Sequence, residues 1–136
     1  MPGENIFLDT NVLLYLLSSD AAKADKVESL LRLAPVISIQ VLNETVNVLR
    51  RKMRMDWPDV TEFTDLIRSF CTVEPLTITS FERGVAISRK YMLSFYDAMI
   101  VSAALLSGCD VLYSEDMQDG LLVENELRIR NPLKNF

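Results

Sequence analysis

The 136-residue sequence contains no histidine. This excludes every mechanism that needs an imidazole base, including a Ser-His-Asp triad and cleavage by a histidine pair. Cysteine is almost as scarce: Cys71 and Cys109 stand far apart and belong to no Cys-x-x-Cys or Cys/His cluster. Neither a disulfide framework nor a zinc site is signalled, and a reduced, cytoplasmic setting is expected. No apolar run approaches the roughly 18 residues of a membrane span, so no membrane partner is expected. Nor does a Lys or Arg precede the first apolar run, which Glu4, Asp9 and Asn11 interrupt, and a signal peptide is not expected. With only 4 glycines and 5 prolines, the chain carries no linker, repeat or low-complexity tract. Basic charge is in deficit too, 14 Lys and Arg against 19 Asp and Glu, so the balance of −5 does not advertise nucleic-acid binding.

What is present is a chain 49% hydrophobic and 24% charged, of a length that suits one globular domain over 1–136. Residues 5–9 read as a first strand ending in an acid, with Thr10-Asn11 offering a cap to the next helix. A second helix is expected over 21–33, stopped by Pro35 ahead of a short strand at 36–39. The third, over 40–55, carries its apolar stripe on Leu42, Thr45, Val46, Leu49 and Met53, with Glu44 on the shoulder beside Val41 and Val48. A basic run, Arg50, Arg51, Lys52 and Arg54, forms its tail. Asp56-Trp57-Pro58 then separates it from a fourth helix repeating Val60, Phe63, Ile67, Phe70 and Cys71. Residues 76–78 read as another extended piece, before a fifth helix capped by Thr79 or Ser80 and reaching Met92.

The most informative stretch follows. Ser94 is a cap for a helix on which Asp97 shares the stripe of Ile100, Val101, Ala104 and Leu105. Gly108 stops that helix, and Val111-Leu112-Tyr113 is as purely apolar as a buried parallel strand, delivering Ser114 and Asp116 at its carboxyl end. After a polar loop to Gly120, a last extended segment at 127–130 closes on Asn131-Pro132. Alternating strands and helices imply an α/β fold: a central parallel sheet covered by helices on both faces, with sites outside the carboxyl ends of its strands.

That architecture gathers Asp9, Glu44, Asp97, Asp116 and Ser114 at one edge of the sheet. Singly, the acids have plainer uses as a helix cap (Asp9), a first-turn acid (Asp97) or solvated residues (Glu44, Asp116). Together they repel. Two unit charges about 4 Å apart cost roughly 4 kcal/mol at an effective dielectric of 20, and four of them would consume a typical folding stability of about 5–15 kcal/mol. A divalent cation relieves this, and an all-oxygen donor set suits Mg²⁺ or Mn²⁺. Such an ion acidifies a bound water and neutralises charge on a phosphate without any histidine.

Phe7-Leu8-Asp9-Thr10-Asn11-Val12-Leu13, Asn43-Glu44, the run from Phe95 to Ala104 around Asp97, and Leu112-Tyr113-Ser114-Glu115-Asp116 resemble the four signature segments of PIN-domain nucleases. In pattern the chain looks most like the VapC toxins of toxin-antitoxin pairs, and the resemblance spans nearly its whole length. It implies a PIN-like three-layer sandwich and an endoribonuclease dependent on Mg²⁺ or Mn²⁺. By position, Asp9, Glu44, Asp97 and Asp116 would be the acidic quartet that holds the metal, and Ser114 the hydroxyl that helps hold a site water. Arg50, Arg51, Lys52 and Arg54 are then candidates for RNA phosphate contacts. A small antitoxin and a toxin homodimer are implied as partners, with the exteriors of 12–17 and 53–57 as apolar surface for such contacts. Two rival readings are a PIN-like module that binds without catalysis and a haloacid-dehalogenase-type phosphohydrolase. The latter needs an aspartate where Asn11 stands.

Overall fold

The computed structural model describes residues 4–134. One six-stranded sheet organises them, in the order β3-β2-β1-β4-β6-β5. Its inner strands are β1 (Ile6–Leu8), β2 (Val36–Ser38), β4 (Val111–Tyr113) and β6 (Leu127–Arg130), flanked by β3 (Thr72–Glu74) and β5 (Leu122–Val123). Every pairing is parallel except β5 with β6. Successive strand residues face opposite sides of a sheet, yet Ile6, Phe7 and Leu8 are all buried. Apolar residues on both sides demand cover on both sides, and six helices supply it.

These are α1 (Thr10–Leu14), α2 (Ala21–Leu31), α3 (Ile39–Arg51), α4 (Trp57–Phe70), α5 (Ile78–Tyr91) and α6 (Phe95–Leu106). The most apolar of them, α6, is buried continuously from Ala98 to Leu105. The expected single stripe is therefore too narrow: α6 is enclosed all round, and only its first turn, with Asp97, opens toward solvent. Gly84 brings α5 close to it, since a Cβ there would lie 2.5 Å from the Met99 sulfur. Buried Ser102 donates to the Ser80 carbonyl across the same contact, at 2.8 Å.

Several expected boundaries move. On α3 the buried face is Val41, Thr45 and Leu49, one position round from the expected stripe, and Met53 lies beyond the helix at 43% exposure. Helix α2 ends at Leu31, two residues early, where the carbonyls of Leu30 and Leu31 turn back to accept from Leu33 and Ala34. Trp57 and Pro58 open α4 rather than separate it from α3, because proline fits the first turn, whose N–H groups have no helical partner. Phe70, expected on the core face, is 43% exposed. Residues 76–78 are not extended: Thr77 and Ser80 form a reciprocal capping box that starts α5 there, and the strand falls earlier, at β3.

The β5–β6 hairpin is additional to the expected elements. Its turn places Glu124 and Asn125 at φ 52° and 56°, with the Glu126 N–H donating to the Val123 carbonyl. Both central residues at positive φ match the primed turn that suits sheet twist. The chain runs outward from β1 to β2 and β3, then returns to the other side of β1 with β4. That reversal makes the carboxyl ends of β1 and β4 the place where a ligand crevice is expected.

Candidate active site

Asp9 follows β1 directly and its backbone continues the ladder, its N–H donating to the Tyr113 carbonyl at 3.0 Å. With extended φ and ψ it caps α1, and its Oδ1 accepts the Thr10 N–H at 2.7 Å. The side chain is thereby turned inward, and Asp9 is 3% exposed. Its Oδ2 accepts the hydroxyl of Ser114, the residue after β4, at 2.7 Å. Ser114 is itself buried and accepts the N–H groups of Asp116 and Met117 at 3.2 and 3.3 Å. One hydroxyl thus fixes the Asp9 carboxylate and the loop carrying Asp116. Its hydrogen-bonding capacity is filled, so the expected hold on a site water gives way to a positioning task.

Burial pushes the Asp9 carboxyl up to about 7. The Ser114 and Thr10 hydrogen bonds oppose that rise, while the charges of Asp97 and Glu44 add to it. Asp97, in the first turn of α6, is half-buried, and its carboxyl is also raised, first by burial and then by Asp116, against a Ser94 hydrogen bond. Ser94 caps the helix by accepting the Asp97 N–H. Glu44, on α3, accepts from the Thr10 hydroxyl at 3.3 Å and from Gln40 Nε2 at 2.9 Å.

Asn11 ties these parts together. Its Nδ2 donates to Asp116 Oδ2 at 2.9 Å and to Asp9 Oδ2 at 3.3 Å, and its Oδ1 accepts the Glu115 N–H. Beneath the same loop, the Tyr15 hydroxyl donates to the Glu115 carboxylate. Reading the sequence assigned Asn11 only a spare capping role and gave Thr10 and Gln40 no role near the acids. The usable signal was proximity: Thr10 and Asn11 follow Asp9, and Gln40 precedes Glu44 by one helical turn.

All four acids line one cavity of about 220 Å³, with Thr10, Asn11 and Lys52 among the other walls. Asp9 and Asp97 therefore face the same space. Among the described residues, no Lys or Arg forms an ion pair with any of the four. The donors are hard oxygens, as Mg²⁺ or Mn²⁺ prefers, so the residues present fit such an ion in kind. As now arranged, no three acidic or sulfur side chains among the described residues lie close enough to ligate one ion. Of the basic run, Lys52 lines the cavity, whereas Arg50 turns back over the helix end. Its Nη1 donates to the Met55 carbonyl at 2.8 Å and its guanidinium stacks 4.5 Å from the Trp57 ring. Arg51 and Arg54 are exposed.

The PIN domain family model matches residues 6–118, more than three quarters of the sequence. The chain belongs to the PIN domain family. No curated protein matches it. Among solved structures, this PIN domain is similar to a toxin-antitoxin complex from Klebsiella pneumoniae, at 20% identity and a TM-score of 0.70, covering 94% of this chain and 98% of that one. It is also similar to VapC20 of Mycobacterium tuberculosis, a toxin that cleaves the sarcin-ricin loop, at 24% identity and a TM-score of 0.65, covering 82% and 90%. A third is VapBC2 of Rickettsia felis, bound to a promoter DNA fragment, at 16% identity and a TM-score of 0.69, covering 93% and 97%. These likenesses establish the PIN fold, with its mostly parallel sheet and flanking helices. The described residues contain no helix long and apolar enough to cross a membrane.

Proposed function

We propose that this PIN domain is a Mg²⁺- or Mn²⁺-dependent endoribonuclease, the toxin of a cytoplasmic toxin-antitoxin pair. The observation that carries the reading is the convergence of Asp9, Glu44, Asp97 and Asp116 on one cavity where, among the described residues, no basic side chain pairs with them. Asp9, Asp97 and Asp116 would hold the metal, and Glu44 would hold it or orient the attacking water. Bound there, a divalent cation lowers the pKa of water and offsets the charge of a phosphodiester.

The protein's part is positioning. Ser114 fixes the Asp9 carboxylate, and the neutral amide of Asn11 bridges it to Asp116. Lys52, on the cavity wall, is placed to meet a substrate phosphate, and exposed Arg51 and Arg54 extend the positive surface. In-line attack would leave a 5′-phosphate and a 3′-hydroxyl.

The likeness to the Klebsiella toxin-antitoxin complex and to Rickettsia VapBC2 supports an antitoxin partner. A separate groove of about 250 Å³ between α2 and α4, lined by Leu16, Leu31, Leu66 and Phe70 with Glu28 and Arg32 also in its wall, offers a largely apolar seat for a helix of such a partner. Of the surfaces expected from sequence, Val12 and Leu13 belong to the core, while Met53 and Trp57 are exposed and available to a partner or a second copy.

The test is RNA cleavage by the wild type, with and without chelator, beside Asp97→Asn. Cleavage is expected only for the metal-loaded wild type. Activity that survives either treatment refutes the assignment.

A further inference from the structure

A second cavity, of about 420 Å³, adjoins the acidic one and shares Glu44, Val48 and Lys52 with it. Its character is different. Gln40, Asn43 and Asn47 stand at helical spacing along α3 and wall one side with amides, and Tyr96, one residue before Asp97, closes the other. Tyr96 is 66% exposed, an unusual place for a large ring in water. It is also held from behind: its ring lies 6.2 Å from that of Phe95, which packs edge-on against Phe81 at 5.8 Å. Among the described residues, the side chains of Asn43, Asn47 and Lys52 have no hydrogen-bond or ion-pair partner. An exposed ring, two uncommitted amides that both donate and accept, and a lysine at the rim of the acid pocket make a complementary set. They match a flat heterocycle with polar edges attached to an anion.

We infer that this cavity is a nucleotide subsite: Tyr96 stacks one unpaired base next to the scissile phosphate, Asn43 and Asn47 read its edge, and Lys52 takes the adjoining phosphate. The inference rests on the nuclease reading and adds to it which side chains seat the base beside the cut. A base inside a duplex has both faces covered and cannot lie on the Tyr96 ring. The amides, rather than a shape filter, would set the base preference, because an Asn side chain offers a donor and an acceptor in one plane.

The experiment uses a short single-stranded RNA with one mapped cleavage site, and the same RNA carrying an abasic nucleotide on either side of that site. Metal-loaded wild type, Tyr96→Ala, Tyr96→Phe, Asn47→Ala and Lys52→Ala are compared by kcat and KM, and RNA binding to Asp97→Asn and its Tyr96→Ala double variant is followed by fluorescence anisotropy. Tyr96→Ala is expected to lower kcat/KM about 5- to 150-fold, chiefly through KM, while Tyr96→Phe stays near wild type. One of the two abasic RNAs should be cleaved poorly by the wild type and show no further loss with Tyr96→Ala. Asn47→Ala should change which base is preferred there, and Lys52→Ala should reduce the salt slope of binding by about one.

The subsite is overturned if Tyr96→Ala cleaves like the wild type with the abasic penalty intact. It is equally overturned if Tyr96→Ala alters sedimentation instead of cleavage, since a second copy or another protein then covers this face. Should the wild type not cleave RNA at all, the nuclease reading falls. The subsite is then decided by anisotropy: non-additive loss with the abasic RNA sustains it, and absence of RNA binding ends it.

Discussion

Removing divalent cations should make this protein less stable as the pH rises, the reverse of the behaviour of a protein whose carboxylates are paired. The reason is Asp9, whose carboxyl rises from an ordinary 3.8 to about 7 because it is buried. Between those values the folded chain binds a proton that the unfolded chain has released, so stability falls with increasing pH and levels off above the folded value. The full difference is worth about 4 kcal/mol, of which about 2 kcal/mol falls between pH 5.5 and 8. For a chain of this length that is about 5–8 °C in melting temperature. The raised Asp97 carboxyl acts in the same direction.

The absence of histidine leaves this window largely clear; the Cys71 and Cys109 thiols, held up by burial in the fold, begin to titrate in the unfolded chain only near its upper end. The assay is thermal melting in chelator at constant ionic strength across that range, repeated with excess Mg²⁺ or Mn²⁺. The cation should flatten the profile and raise the high-pH end by about 2.7 kcal/mol at 100 times its Kd. Asp9→Asn, which has no proton to lose there, should melt with a shallower pH dependence, the remainder coming from Asp97. A wild-type melting temperature that is flat or rising from pH 5.5 to 8 in chelator refutes the reasoning.

Ser114→Ala removes the hydroxyl that serves Asp9, Asp116 and Met117 together, and should cost about 1–3 kcal/mol in urea unfolding while also lowering cleavage. Asp97→Asn and Asp116→Asn should each reduce cleavage by at least about 100-fold with folding retained, seen in circular dichroism and RNA assays run on the same samples. Leu66→Asp, at a 49% exposed position on the rim of the α2–α4 groove, should leave the stability in urea unfolding within about 0.5 kcal/mol of wild type yet abolish co-purification of an antitoxin. Arg50→Ala loses the Met55 carbonyl contact and the stack on Trp57, and should lower stability by about 0.5–1.5 kcal/mol, read by urea titration.

Asp9, Asp97 and the turn that carries Asp116 were legible because each sits where a chain pattern changes, whereas Glu44 lies inside α3. Asp9 and Ser114 end apolar strands, Asp97 begins an apolar helix, and in a parallel sheet such junctions share an edge. What was not legible depends on partners distant in sequence. That Asn11 bridges Asp9 to Asp116 needs β1 beside β4, and the paired register Leu8 to Tyr113 appears nowhere in local pattern. Ser114 gave no hint that three groups would occupy it. At the sheet edges, local signals misled for a physical reason: β3 is short and mostly polar, whereas Leu76 and Ile78 look like strand residues but are 40% and 75% exposed. The capping pair Thr77 and Ser80 outweighed their apolarity. The turn at Glu124-Asn125 lacks the glycine that usually announces a primed hairpin.

The pairing of β1 with β4 also bears on timing during synthesis. Asp9 and Ser114 are 105 residues apart, and the pocket needs β4 beside β1. A growing chain therefore carries its first acid early but has no assembled pocket until residues 111–116 have followed it. The four acids thus stay apart, each free to be solvated, for as long as β4 is missing.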